Sequence, residues 1–165
     1  MTIKDHPLIV KNLLWQDEVQ TCAFARSLAD RLLGLSPAAG ALIELRGDIG
    51  AGKTSLVRHL LGALGVKGRI KSPTYAVVET YTLEGVTPLS IWHFDFYRFN
   101  DPDEWEEAGF REMFASTGLK LVEWPEKAGG HLPAPDLALH IDVLPDQSRR
   151  VILKACTPAG RALIE

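Results

Sequence analysis

Cysteine is scarce in this chain: the 165 residues hold two, Cys22 and Cys156. They have neither metal-ligand spacing nor the density of a secreted disulfide scaffold, and read as reduced structural thiols. Long apolar runs are missing as well. Every one breaks well short of the roughly 20 residues that cross a bilayer. The first ten residues carry Asp5, His6 and Pro7 where a secretory leader needs an apolar core. A cytoplasmic protein without membrane contact is expected. Nor is there a basic excess, because 18 Lys and Arg face 21 Asp and Glu for a net charge of −3. No global field therefore draws the chain onto nucleic acid. The short basic clusters Lys67, Arg69, Lys71 and Arg149, Arg150, Lys154 suit solvated surface, or else a partner-docking or polyanion-facing patch. Repeats and low-complexity segments are absent. Hydrophobic residues at 46% and charged residues at 24% match ordinary globular usage, and the length suits one domain over 1–165.

What is present is Gly47-Asp48-Ile49-Gly50-Ala51-Gly52-Lys53-Thr54, a complete G-x-x-x-x-G-K-[ST] loop. Its glycines let the backbone curl so that successive N–H groups face phosphate oxygens. Lys53 can reach the outer phosphates, the Thr54 hydroxyl can ligate Mg²⁺, and the following helix aims partial positive charge at the same place. The stretch from Gly47 through Asp48, Ile49, Gly50, Ala51, Gly52, Lys53 and Thr54 to Ser55 is thus the expected nucleotide cradle. Its flanks agree. Ala41, Ile43 and Leu45 alternate before it, while Leu56, Val57, Leu60, Leu61 and Leu64 repeat at helical spacing after it until Gly65. Glu44 and Arg46 fall on the second face of that strand, so this face is expected to be only partly covered.

Asp17 with Gln20 resembles a capping box, and Val19, Phe24, Leu28 and Leu32 then give an amphipathic helix that Gly34 can end. The runs 76–81 and 89–94 read as strands joined around Gly85, a hairpin rather than a parallel crossover. Asp101-Pro102-Asp103-Glu104 has the order of a cap, a first-turn proline and an acid, predicting a short helix to Glu107, with a second over 110–114. A compact strand over 119–124 ends at Pro125. After the Pro- and Gly-rich stretch 129–135, Leu137, Leu139, Ile141 and Val143 alternate with Ala138, His140 and Asp142, and 150–154 pairs with them across a turn at Pro145 and Asp146. The fold class is α/β, with a mixed sheet.

A phosphate loop alone binds; chemistry also needs a carboxylate for the metal and a group that orients the attacking oxygen. Asp95 and Glu123 both stand at C-terminal ends of strands, where open α/β sheets collect ligands. Either acid can be the one that touches the metal. Thr74, in the hydroxyl-rich loop Ser72-Pro73-Thr74-Tyr75, is a candidate sensor of the γ-phosphate or Mg²⁺. His93 shares a strand face with Asp95 and is expected to pair with it. Trp92, Trp105 and Trp124 read as core or rim packing.

In series, the loop, Ser-Pro-Thr-Tyr, His-Phe-Asp-Phe-Tyr-Arg and Val-Glu-Trp-Pro-Glu resemble the TsaE family, also called YjeE, of small bacterial ATPases needed for threonylcarbamoyladenosine in tRNA. The likeness runs from Asp17 to about Arg150. It implies a P-loop NTPase-like three-layer sandwich with a mixed, partly parallel sheet. It also implies ATP with Mg²⁺, slow hydrolysis stimulated by partners, and action on TsaB- and TsaD-like proteins, with tRNA reached only through that complex. By the same likeness Thr54 and Glu123 match metal-site positions, Asp95 an acid important for hydrolysis and Thr74 a switch-like loop, with Lys53 beside them. Phe96 stands where many members have leucine. Competing readings are a small-molecule kinase using the same loop, a module that binds without chemistry, and a regulatory GTPase, whose D-x-x-G and N-K-x-D motifs do not occur. No pattern speaks for or against self-association.

Overall fold

The computed structural model describes residues 8–35, 40–71, 73, 76–85, 88–101 and 103–165. Seven strands form one sheet: β1 (Ile9–Trp15), β2 (Ala41–Arg46), β3 (Val78–Leu83), β4 (Leu89–Asp95), β5 (Leu119–Glu123), β6 (Leu137–Val143) and β7 (Arg149–Ala155). Their spatial order is β1-β7-β6-β2-β5-β4-β3. The centre is parallel, with β2 between β5 and β6 and β4 beside β5. Both margins are antiparallel: β1 with β7, β7 with β6, and β3 with β4. That is the mixed sheet expected, hairpin included.

One face packs on α1 (Glu18–Leu33) and α2 (Lys53–Leu64). Leu28, Ala29 and Leu32 of α1 and Leu56, Val57, Leu60 and Leu61 of α2 close over Ile43, Leu45, Ile91, Leu121, Leu139 and Leu153. The opposite face is aromatic. Phe94, Phe96, Phe99, Phe110, Phe114 and Trp105 form its core with Val122, beneath the short helices α3 (Glu104–Glu107) and α4 (Phe110–Ala115). Glu44 and Arg46 lie on this second face and bridge each other at 3.2 Å; Glu44 is buried and Arg46 half-exposed. No helix among the described residues is long and apolar enough to cross a membrane.

Local signals explain the element ends. The Gln20 N–H donates to the Asp17 carboxylate at 3.1 Å, the cap predicted for α1. Gly65 adopts φ 100 at the end of α2, and its N–H reaches the Gly62 and Leu61 carbonyls. Gly34 ends α1 in an ordinary right-handed conformation. Helix α3 starts after Asp103, two residues later than the cap expected at Asp101, although the Asp101 carboxylate accepts the Asp103 N–H and Glu104 accepts the Asp101 N–H. Pro102 lies outside the described residues.

Three elements escaped the sequence reading. The stretch Pro125–His131 holds two short 3₁₀ pieces that meet at a kink at Gly129, φ 61 and ψ −137. Strand β1 and α5 (Pro158–Ile164) were the other two, and they belong together. β1 shows no clean alternation because Lys11 sits among its inward positions, and its ammonium donates to the Ile164 carbonyl at the end of α5. Helix α5 carries Gly160 in its middle, which disguises it, although Thr157-Pro158 is a cap followed by a first-turn proline.

Candidate nucleotide site

Loop 47–52 leaves the C-terminal end of β2 and closes onto the first turn of α2. Two glycines there are required, one by space and one by backbone conformation. At Gly47, φ is 147 and a Cβ would stand 2.5 Å from the Ile141 carbonyl oxygen. Gly52 caps α2 at φ 108, a left-handed conformation that side chains disfavour, and so turns the chain into the helix with its amides forward. The loop and its surroundings enclose a cavity of about 390 Å³, lined by residues 49–55 with Asp95, Tyr97, Glu123, Trp124 and Arg149. Strand-end acids and loop amides therefore meet at one place, as the motif order predicted.

Lys53 is buried; its ammonium donates to the Gly47 carbonyl and, at 3.0 Å, to the Asp48 carbonyl, and lies 4.3 Å from the centre of the Trp124 ring. Burial lowers its pKa, while Glu123, Glu126, Asp95 and Asp48 work in the opposite sense. Below the lysine, the Thr54 hydroxyl donates to Glu123 Oε1 at 2.8 Å, and Glu123 Oε2 accepts from His93 Nε2 at 2.6 Å. Asp95 lies opposite Glu123 in the register of β4 and β5. Burial raises the Asp95 pKa, against the Tyr97 N–H that donates to its Oδ1 at 2.9 Å.

The expected pairing of His93 with Asp95 is not what forms. Residues two apart on one strand point the same way but stand about 6.6 Å apart, so the ring instead reaches diagonally across to Glu123 on the neighbouring strand. Thr74, with Ser72 and Tyr75, lies outside the described residues. Of the tryptophans, Trp105 is core and Trp92 half-buried, whereas Trp124 walls the cavity with Tyr97, ring centres 5.0 Å apart. Arg98 is exposed on the turn after β4.

Two further participants were not singled out for this site from sequence. Trp124 adopts a left-handed backbone, φ 56 and ψ 49, immediately after Glu123. Arg149 belongs to the basic cluster that suits solvated surface or a partner-docking or polyanion-facing patch. In the structure its Nε donates to the Ala51 carbonyl at 3.1 Å, and it separates the loop cavity from a second of about 300 Å³ lined by Trp15, Asp17, Glu18 and Thr21. Arg149 opens β7, the strand expected to pair with β6, one residue before the expected start at Arg150.

A magnesium ion keeps several waters and takes few protein ligands beside phosphate oxygens. The adjoining Thr54 hydroxyl and buried Glu123 carboxylate fit that demand. Among the described residues no group of three or more His, Cys, Asp or Glu could hold a metal by itself. Such an ion would thus depend on a nucleotide's oxygens.

A family model described as "Threonylcarbamoyl adenosine biosynthesis protein TsaE" matches residues 15–152. The chain is 40% identical to the tRNA threonylcarbamoyladenosine biosynthesis protein TsaE of Haemophilus influenzae over 148 residues, 90% of this chain and 91% of that one. To the protein of the same name from Bacillus subtilis it is 35% identical over 116 residues, 70% of each chain. The crystal structure of Bacillus subtilis YdiB superposes with a TM-score of 0.71 at 29% identity, covering 94% of this chain and 93% of that one. Motif order, P-loop NTPase architecture and these likenesses agree, and the chain belongs to the TsaE family.

Proposed function

We propose that the chain binds ATP with Mg²⁺ and hydrolyses it slowly, in the formation of threonylcarbamoyladenosine on tRNA, acting through TsaB- and TsaD-like proteins. The observation that carries this reading is the Thr54–Glu123 contact of 2.8 Å beneath the loop. It sets a metal-type pair where the outer phosphates of a nucleotide seated on the loop amides would lie. Bound Mg²⁺ would supply charge neutralisation across those phosphates.

Each residue then has a task. Loop amides and the α2 N-terminus grip the phosphate chain, and Lys53 exchanges its two carbonyl partners for phosphate oxygens. Asp95, whose Oδ1 is fixed by the Tyr97 N–H, orients the attacking water and takes up its proton. Its raised pKa makes it a better base than an exposed aspartate. We place the nucleoside in the second cavity beyond Arg149. Thr74 remains the proposed sensor whose contacts are lost with the γ-phosphate.

The test is phosphate release from ATP and Mg²⁺ by purified protein, with and without TsaB- and TsaD-like proteins. Partner-stimulated release supports the proposal; phosphate delivered to an added metabolite, or no release in any mixture, overturns it. Lys53→Ala should weaken nucleotide binding about 10- to 100-fold through loss of charged hydrogen bonds. Asp95→Ala should leave binding within about threefold and suppress hydrolysis about 100-fold or more.

A further inference from the structure

We propose that His93 is a positioning residue which fixes the Glu123 carboxylate for a divalent cation, an assignment that rests on the nucleotide reading above. The contact spans two central parallel strands: Nε2 of His93 on β4 lies 2.6 Å from Oε2 of Glu123 on β5. Both side chains are nearly sealed from solvent, at 1% and 2% exposure. The other oxygen, Oε1, meets the Thr54 hydroxyl. Each carboxylate oxygen therefore has one partner, which sets the otherwise broad terminal torsion of a glutamate side chain.

His93 Nδ1 is buried without a hydrogen-bond partner among the described residues. Leaving such an atom unmet is unfavourable, because its desolvation is not offset. An apolar side chain would avoid that cost, so what the histidine contributes locally is its Nε2 bond. A carboxylate oxygen accepts, so the ring hydrogen of that bond sits on Nε2, and Nδ1 is the orphan nitrogen. Outer partners of this kind change metal affinity about 10- to 100-fold when removed. His93 does not itself line the cavity and meets it only through Glu123, so its effect should appear in the response to the cation rather than in the grip on the nucleotide.

The experiment is calorimetric binding of ADP and of a non-hydrolysable ATP analogue, in EDTA and across a Mg²⁺ titration, with thermal melts alongside. Glutamine can present its amide N–H where Nε2 stands; asparagine is one bond too short. His93→Gln should keep the Mg²⁺ half-saturation within about threefold of the unsubstituted chain. His93→Asn and His93→Leu should raise it about tenfold or more, with affinity in EDTA unchanged. If leucine unfolds the protein, the glutamine and asparagine pair decides. An equal Mg²⁺ response in those two folded variants overturns the inference while leaving the nucleotide reading intact. If the unsubstituted chain shows no Mg²⁺-dependent nucleotide binding, the proposed function falls, and this inference with it.

Discussion

Strands β4 and β5 present two opposite environments with alternate residues. Toward α2 they place Ile91, His93 and Asp95 beside Leu119, Leu121 and Glu123, an apolar row that turns charged and buried at its C-terminal end. Away from α2, Phe94 and Val122 join a cluster of aromatic rings. The first surface holds an orphaned imidazole nitrogen, an acid whose ionised form burial disfavours and a lysine out of water. Local stability is spent there. The aromatic surface supplies it, since a fully buried apolar side chain contributes about 1.5–3 kcal/mol. A P-loop site can therefore carry an unfavourable polar row because the same strands are anchored from behind.

The largest test of this contrast is Phe94→Ala. Phe94 is fully buried, stacked on Phe114 at 4.5 Å and edge-on to Phe110 at 5.5 Å. Truncation should cost about 3–5 kcal/mol, lowering the melting temperature by about 10 °C at roughly 2–4 °C per kcal/mol. Nucleotide affinity of the folded fraction should stay within about threefold. A melting shift below about 3 °C in calorimetry would show that the aromatic face is not the anchor.

A smaller effect of opposite sign is expected on the other face. The Asp95 carboxyl has a raised pKa in the fold, so the folded state holds its proton more tightly than the unfolded chain does. Stability from this group is present at acid pH and lost as pH rises through the window from the ordinary aspartate value to the raised one. Asp95→Asn keeps an oxygen for the Tyr97 N–H and removes the buried charge. Its melting temperature should exceed that of the unsubstituted chain at pH 7, with the difference closing toward pH 4, while hydrolysis falls about 100-fold or more. A variant less stable at pH 7 than at pH 4, relative to the parent, would reverse the contrast.

How much of this was legible follows from the same geometry. The loop, its flanking strand and helix, and the acids Asp95 and Glu123 announce themselves because each signal is local: a fixed spacing, or a charge ending an apolar run. Partner choice is not local. Whether His93 meets Asp95 or Glu123 depends on β4 lying beside β5 in parallel register, 30 residues apart in sequence. Arg149 reaches the loop across 98 residues, through an edge that β1 completes. β1 itself was hidden by Lys11, whose inward charge makes sense only once α5 offers its C-terminal carbonyl.

Trp124 sits on the seam between the two environments, packed against the aromatic cluster on one side and under the Lys53 ammonium on the other. If the seam merely separates the two surfaces, any apolar side chain should serve. If the ring holds the lysine, aromaticity matters, because a cation over a ring gains about 0.5–2 kcal/mol. Trp124→Phe should then leave nucleotide affinity within about 1.5-fold, and Trp124→Leu should weaken it about two- to fivefold, the lower end of that energy. Both variants lose indole packing and should melt earlier by similar amounts, so stability alone cannot produce the difference. Equal affinities for the two in the same calorimetric titration would reduce the ring to filler and leave Lys53 positioned by the Gly47 and Asp48 carbonyls.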